Sequence, residues 1–279
     1  MLGCSSGAAR EETRPLEHRA VVSWIAPGAL ALLLLGGASP VLAQVSGPED
    51  YALRVEYLLW SPRPEGTIQK GLGEADGSLV DVRDVLAVAE GDANVLRASF
   101  RLGGGWKLRG SWTPLDMRGD TPSPEPFTYG TLVVRAGDRV VTTLKGNDIS
   151  AGLEWDFVER PEGFFGLVFG VKYLDVDTVL VDVTTESRVA EREQLPVPVV
   201  GLAGRRYLGS LASVEGEISG ITVGSRGHLW EWLVAVRVHL LDSLAATGGY
   251  RSLSLEGRDD RDSLDLGLAT WTFGVEISL

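Results

Sequence analysis

Cysteine, histidine and long apolar runs are scarce in this chain, and each scarcity argues against a class of function. The 279 residues include one cysteine, Cys4, and three histidines. Cys4 lies in the leader, so residues 44–279 have no disulfide, zinc–thiolate site or cysteine nucleophile. Beyond the leader, no apolar run approaches the 18 residues that would predict a membrane-spanning helix.

Basic residues are also few relative to acidic ones. Lys and Arg total 26 against 38 Asp and Glu, which gives a net charge of -12. The three arginines and three glutamates of residues 1–43 cancel, so residues 44–279 carry the whole excess. Because nucleic-acid phosphates require a basic surface, the composition predicts no nucleic-acid partner.

Residues 1–43 have the three parts of a secretory signal peptide. Three arginines precede an apolar run at residues 21–35, and Val41 and Ala43 suit a cleavage site after Ala43. The sequence therefore predicts a cleaved signal peptide, 1–43, and one domain, 44–279. A retained helical anchor is the alternative, but a run of about 15 residues falls short of the roughly 20 that span a bilayer.

Apolar and polar side chains alternate along many short segments after the leader. In residues 96–102, leucine, alanine and phenylalanine alternate with Arg97, Ser99 and Arg101. Successive side chains of a strand point to opposite faces, so this period of two predicts strands with two unlike faces. We predict ten strands. Short turns are expected near residues 103–104, 159–162, 206–208 and 241–245, and long connections at 61–92, 118–146, 176–196, 221–228 and 257–265.

The apolar face of these strands is rich in aromatic residues about six positions apart. Six strand residues cover roughly 20 Å, which is comparable to a lipid-facing band about 25 Å tall between two aromatic girdles. The predicted membrane-interface aromatics are Tyr51, Tyr57, Trp106, Trp112, Trp155, Phe165, Tyr173, Trp232 and Trp271.

The opposite face carries charges of both signs. Facing a lumen, such charges can pair, whereas Arg or Lys in the lipid midplane would cost about 2–4 kcal/mol. The sequence therefore predicts an all-β fold: a closed antiparallel up-and-down transmembrane β-barrel of about ten strands, with eight the next choice. Two segments do not fit this pattern clearly. In residues 197–205 the alternation does not decide which side chains share a face, and Arg251 shares a face with the apolar Leu253 and Leu255. The predicted lumen charges are Arg54, Glu56, Arg97, Arg101, Lys107, Arg109, Glu154, Asp156, Lys172, Glu215, Glu217, Glu231 and Arg237.

The chain resembles the outer-membrane β-barrel proteins of Gram-negative bacteria, in particular small porin-like single-chain barrels. The features that carry this resemblance are the leader ending VLA, the alternating strands, the short turns and the closing WTFGVEISL. The resemblance implies a bacterial outer-membrane location, contact with outer-membrane lipid, and a monomer. It also implies recognition of the C-terminal strand by the barrel-assembly machinery. Many such chains end on an aromatic residue, and here Leu279 takes that place.

A ten-stranded barrel is narrow, because eight strands leave an interior just filled by side chains. We predict a narrow charged lumen with a structural role, small-solute permeation, or binding through long surface loops. Residues 77–88 and 127–144 are patterned enough to be ordered above the membrane. The alternatives are a soluble periplasmic or secreted β-barrel that binds an apolar ligand, and a hydrolase at the barrel rim.

Catalysis in the manner of omptins or lipid A deacylases, both β-barrels, would need a histidine activated by a carboxylate. Residues 44–279 offer only His239, expected near a periplasmic turn, and His228, expected at the outer rim near Glu231. We therefore predict no enzymatic activity and no catalytic residues.

A cluster of loop carboxylates is the one candidate metal site. It lacks the glycine and bidentate glutamate of an EF-hand, so we predict no metal and no cofactor. The cluster consists of Asp259, Asp260, Asp262 and Asp265.

Overall fold

The computed structural model describes Glu49, residues 51–259 and residues 261–279. The predicted signal peptide and its cleavage site lie outside these residues. Within them, no helix is long and apolar enough to cross a membrane. The strands are β1 (Leu53–Trp60), β2 (Arg63–Gln69), β3 (Val80–Asp81), β4 (Ala93–Gly103), β5 (Trp106–Pro122), β6 (Phe127–Tyr129), β7 (Leu132–Val134), β8 (Arg139–Arg160), β9 (Gly163–Asp182), β10 (Ser187–Leu208), β11 (Ala212–Thr222), β12 (Gly227–Leu241), β13 (Leu244–Asp259) and β14 (Asp262–Ser278), with one 3₁₀ turn at Gly224–Arg226.

Ten of these strands close into an antiparallel barrel, which confirms the predicted fold. The order around the wall is β1, β4, β5, β8, β9, β10, β11, β12, β13 and β14, and β14 pairs with β1. The closing ladder places Glu56 opposite Glu276 and Trp60 opposite Thr272. Closure leaves neither end strand with a bare edge, as a lipid environment requires.

Alternation gives the membrane part of the barrel an apolar outer surface. Along β12, Trp230, Trp232 and Val234 are exposed, while Leu233 and Arg237 between and beyond them are buried. The exposed side chains form the surface that contacts lipid. The inward positions hold the charges.

Several predicted connections are strands instead. β8, β9 and β10 contain 22, 20 and 22 residues, about twice the 9–11 that cross a bilayer. Residues 118–122, 139–146 and most of 176–196 are thus barrel wall rising above the membrane, and only residues 183–186 join β9 to β10. β6 and β7 form a separate hairpin between β5 and β8. The predicted turn at 206–208 was also wrong, because β10 continues through Leu208 and the turn follows it.

The extracellular end of the barrel is filled by an apolar core. Residues 80–91, which we name the plug, lie between β2 and the upper end of β5, where Val82 N–H donates to the Gly66 carbonyl and Ala89 N–H to the Arg118 carbonyl. β2 itself pairs with the upper half of β14. Val82 and Leu86 of the plug have no exposed area. The plug lies so close to β5 that a β-carbon on Gly119 would stand 2.0 Å from the Leu86 carbonyl oxygen. Further core members are Leu58, Trp60, Val80, Val88, Met117, Leu132, Val134, Val140, Leu144, Leu174, Leu180, Leu229, Leu253 and Leu268.

Candidate functional site

The inward face of the membrane part holds a nearly balanced set of ion pairs, which we name the lumen charge network. It comprises nine cations and ten carboxylates, and it includes all thirteen predicted lumen charges. The cations are Arg54, Arg97, Arg101, Lys107, Arg109, Lys172, Arg205, Arg237 and Arg251, and the carboxylates are Glu49, Glu56, Asp148, Glu154, Asp156, Glu159, Glu215, Glu217, Glu231 and Glu276.

Arg237 lies at the centre of the periplasmic half of this network. Its side chain is 1% exposed, and its guanidinium nitrogens lie 2.6 Å from Glu56, 3.0 Å from Glu215 and 2.7 Å from Glu276. Arg205 on β10, whose ladder partner on β11 is Glu215, contacts Glu215 and Glu276 at 2.5 Å and 2.6 Å. Three carboxylates and two guanidinium groups therefore share one buried site, in which each charge has an opposite partner.

A second group of the network lies nearer the extracellular side. Lys172 Nζ is 2.8 Å from Asp148 and 2.5 Å from Glu231. Arg251 is 2.6 Å from Glu231, and its guanidinium lies 4.4 Å from the centroid of the Trp60 ring. Trp60 thus marks the level at which the lumen changes from charged to apolar.

A small cavity remains between the charged walls. Its volume is about 110 Å³, and its lining includes Arg97, Arg109, Ser111, Ser150 and Lys172. This space is large enough for several water molecules.

Six members of the network were not among the predicted lumen charges. Glu49 precedes β1, so no strand period could place it. Arg205 lies in the segment with ambiguous parity. Arg251 was hard to interpret because Leu253 and Leu255 share its face; all three point inward, and the two leucines belong to the extracellular core or pack against it. The remaining three are Asp148, Glu159 and Glu276; the alternation of the closing strand already predicts that Glu276 faces the lumen, as it does.

Eight of the nine predicted interface aromatics lie on the outer wall, and Tyr51 does not. Tyr51 is 6% exposed, its hydroxyl is 3.4 Å from Ser99 Oγ, and the Arg54 guanidinium lies 3.8 Å from its ring centroid. The prediction was wrong because β1 begins at Leu53, so its alternation does not reach residue 51. The eight on the outer wall are Tyr57, Trp106, Trp112, Trp155, Phe165, Tyr173, Trp232 and Trp271.

The two histidines occupy opposite faces of β12. His239 points inward, with Nε2 3.1 Å from Ser213 Oγ. His228 points outward, whereas Glu231, its predicted neighbour, lies three positions on and so faces the lumen. The carboxylate beside His228 is Glu256, 3.0 Å from Nδ1, and Ser254 Oγ lies 3.2 Å from Nε2.

An extracellular ion pair joins three wall segments. Lys70 Nζ lies 2.7 Å from Asp262 and 3.0 Å from Glu191. The hydrogen bond to Asp262 raises the pKa of Lys70. Burial alone would raise the pKa of Asp262, but the Lys70 ammonium holds it below its usual value. Burial also raises the pKa of nearby Tyr129 to about 12.

The loop carboxylates considered above as a candidate metal site lie only partly within the described residues. Asp262 holds Lys70, and Asp260 lies outside the described residues. Among the residues that the structure describes, no group of three or more His, Cys, Asp or Glu side chains could hold a metal ion.

Comparison with solved structures identifies the architecture. The outer membrane protease OmpT of Escherichia coli matches with a TM-score of 0.50 at 9% identity, covering 81% of this chain and 96% of that chain. The chain has the fold of the Gram-negative outer-membrane β-barrels. At such identity the likeness concerns the fold alone.

Two other outer-membrane barrels match less closely. The translocator domain of NalP from Neisseria meningitidis has a TM-score of 0.42 at 11% identity, over 82% of this chain and 88% of that one. Neisserial surface protein A has a TM-score of 0.37 at 11% identity, over 82% and 97%. No protein-family model and no curated protein matches the sequence.

As an outer-membrane barrel, the chain contacts lipid through the apolar outer band of its ten strands. Trp232 stacks on Tyr250 with ring centroids 5.4 Å apart, and Tyr250 meets Trp271 edge-on. These rings belong to the girdle on the extracellular side of the band, since the strands above them turn polar outside.

Proposed function

We propose that this outer-membrane barrel does not conduct solutes and serves as a scaffold for its extracellular face. The observation that supports this proposal is that two unlike layers, the lumen charge network and the apolar core with its plug, lie in series along the lumen. Either layer alone would hinder passage.

The charged layer opposes permeation because its partners are buried. A solute that passes Arg237 must separate it from Glu56, Glu215 or Glu276, all within 3.0 Å. Separating one partner from a buried ion pair costs on the order of 3–5 kcal/mol. The cavity of about 110 Å³ offers room for only a few water molecules.

The extracellular core opposes ions and polar solutes for a different reason. Val82, Val140 and Leu180 have no exposed area. Moving a charge into such a setting without a partner is strongly unfavourable. Of the roles predicted from the sequence, a structural role and binding through the extracellular surface fit these layers better than permeation.

The soluble alternative, a barrel with an apolar ligand inside, fits less well. The interior at membrane level is charged, and the exterior there carries exposed tryptophans such as Trp112, Trp155 and Trp271. A soluble carrier would need the reverse arrangement. For the lumen we keep the prediction of no catalysis and no cofactor, since its carboxylates are engaged with cations.

A liposome-swelling assay tests the scaffold proposal. Vesicles that contain the refolded protein should swell in isotonic pentose or glycine no faster than protein-free vesicles. Insertion is verified by heat-modifiable migration on a gel, which reports the closed barrel. Swelling that rises with the amount of inserted protein would contradict the proposal.

A further inference from the structure

Three polar side chains lie in series on the outer wall of the barrel, each within 3.2 Å of the next. On neighbouring strands β12 and β13, His228 lies opposite Glu256, and Trp230 lies opposite Ser254. His228 Nδ1 is 3.0 Å from Glu256 Oε2, and His228 Nε2 is 3.2 Å from Ser254 Oγ. The imidazole thus stands between a hydroxyl and a carboxylate.

The carboxylate favours one tautomer of the neutral imidazole. An ionised carboxylate carries no proton to donate, so its charge stabilises a proton on His228 Nδ1, the nitrogen 3.0 Å from Glu256. In that tautomer Nε2 is unprotonated and accepts from the Ser254 hydroxyl. This is the tautomer that a histidine needs in order to take a proton from a serine nucleophile.

The Glu256 carboxylate has a second cationic neighbour, and the Ser254 hydroxyl is uncovered on the side that faces β14. Arg258 lies 2.8 Å from Glu256 Oε1, the oxygen that does not face the histidine. On the neighbouring strand the residue opposite Ser254 is Gly267, which has no side chain to cover the hydroxyl. The side chains of His228 and Glu256 keep 30% and 24% of their area exposed.

The group lies just above the aromatic girdle. His228 is two residues beyond Trp230, about 7 Å at the rise of an antiparallel strand. Trp232, Tyr250 and Trp271 form the contacting rings below it. Aromatic girdles mark the level of lipid headgroups, which is where the ester carbonyls of outer-leaflet lipids begin.

We propose that Ser254, His228 and Glu256 form an acyl-transfer site that hydrolyses ester-linked acyl chains of lipids in the outer leaflet. This inference goes beyond the scaffold role, and for this surface it replaces the prediction of no enzymatic activity. Ser254 is the nucleophile, His228 the general base, and Glu256 a positioning residue.

The reaction consists of two balanced transfers. Ser254 Oγ attacks the ester carbonyl carbon as His228 Nε2 takes its proton. The tetrahedral intermediate expels the alkoxide, which leaves as the alcohol with that proton, and an acyl-serine remains. Water then attacks the acyl-serine, again giving its proton to His228. The fatty acid departs, and Ser254 recovers its hydroxyl proton from His228.

The strand backbone around Ser254 limits the expected rate. The positions on both sides of it are paired with β12 and β14, so the ladder uses the amides that an oxyanion hole would otherwise supply. We therefore expect slow turnover. Covalent capture of the nucleophile is a more direct readout than product formation.

A fluorophosphonate probe tests the site in the full-length protein folded into phospholipid vesicles. The wild type should become labelled, Ser254→Ala should not, and His228→Ala should label about 10²-fold to 10⁴-fold more slowly, the usual range for a general base. Ser252→Ala is the matched control, because Ser252 lies on the same face of β13 but opposite Trp232. It should label like the wild type.

Two further measurements separate catalysis from structure. Fatty-acid release from ester-linked phosphatidylethanolamine vesicles should disappear in Ser254→Ala and persist in Ser252→Ala. Glu256→Gln should slow labelling, and Glu256→Asp should recover part of the wild-type rate, because it restores a carboxylate beside His228 Nδ1. Heat-modifiable migration shows that each variant has folded. Absence of wild-type labelling, or labelling that survives both Ser254→Ala and His228→Ala, would overturn the proposal.

Discussion

The membrane part and the extracellular part of this barrel are built from the same strands with opposite surfaces. In the membrane part of β8, Trp155 and Leu153 face lipid while Glu154 faces the lumen. Toward the extracellular end of the same strand, Lys145 faces water while Leu144 and Val140 lie in the core. The period of two continues without interruption. What inverts at the membrane boundary is which face is apolar, because the solvent outside changes from lipid to water.

The two interiors are stabilised by different interactions. At membrane level the lumen depends on paired charges, whose removal one at a time leaves buried ions uncompensated. Above the membrane the interior depends on close apolar packing, as in a soluble protein. Variants in the two regions should therefore differ in how much they lower the free energy of unfolding and in how much of the barrel they destabilise.

The largest effect is expected at the centre of the charge network. Arg237→Met leaves Glu56, Glu215 and Glu276 short of a cation, which should lower the free energy of unfolding by about 3–5 kcal/mol. Urea titration of the refolded protein, followed by tryptophan fluorescence, measures it. Arg192→Ala is the control, because its 2.7 Å pair with Asp175 lies on the exposed outer surface and should contribute less than about 1 kcal/mol. Equal losses would contradict the distinction.

Truncation in the extracellular core should have a smaller and more local effect. Leu86→Ala removes a side chain with no exposed area from the plug, at a cost of about 2–5 kcal/mol. Hydrogen exchange should accelerate in the plug, β2 and the upper parts of β8–β10. It should be unchanged in the lipid-facing strand segments. Uniform acceleration along the barrel would contradict a separately stabilised core.

The fit of the plug against the wall can be tested at one glycine. Gly119→Ala places a β-carbon 2.0 Å from the Leu86 carbonyl oxygen, and such overpacking costs typically about 1–3 kcal/mol. Limited proteolysis should cut near residues 80–91 faster than in the wild type. Gly216→Ala is the control, because its added β-carbon would meet nothing within 4 Å. Similar proteolysis of both variants would argue against the close approach.

The smallest effect concerns the extracellular pair of Lys70 and Asp262. Because the pKa of Asp262 is lowered in the folded protein, the ion pair contributes its full stabilisation above the ordinary aspartate pKa of about 3.9. That stabilisation is lost as pH falls through the lower pKa of the folded state. The raised pKa of Lys70 keeps the ammonium charged to high pH. After correction for intrinsic rates, the rate of amide hydrogen exchange at residues 70–78 should be constant from about pH 5 to 9 and should increase near pH 3. Lys70→Met should remove that pH dependence.

Much of the membrane part could be predicted from the sequence, because one rule, apolar outside and polar inside, applies there. That rule locates the ten strands and the residues from Arg54 to Arg237 that face the lumen. The rule fails above the membrane, where the polar side chains of a strand face water outside and the apolar ones face the core. Because the rule expects polar side chains inside, it assigns residues 118–146 and 176–196 to loops. Arg251 beside Leu253 lies at the boundary where the rule inverts.

Other parts of the site could not be predicted because they depend on contacts between distant segments. Glu49 precedes the first strand and reaches Arg54 and Lys107 only in the folded barrel. The pairing of His228 with Glu256 and Ser254 depends on the register between β12 and β13, which the two separate patterns do not reveal. Tyr51 shows the reverse error, a strand pattern extended past the strand's first residue.

Single-channel recording in planar bilayers measures whether the lumen is closed. We expect no discrete conductance steps for the wild type. We also expect none for a variant in which residues 80–91 are replaced by a Gly-Ser linker, because the lumen charge network still closes the barrel. Steps in the wild type would contradict closure altogether. Steps in the linker variant alone would contradict the claim that the charged layer closes the lumen by itself.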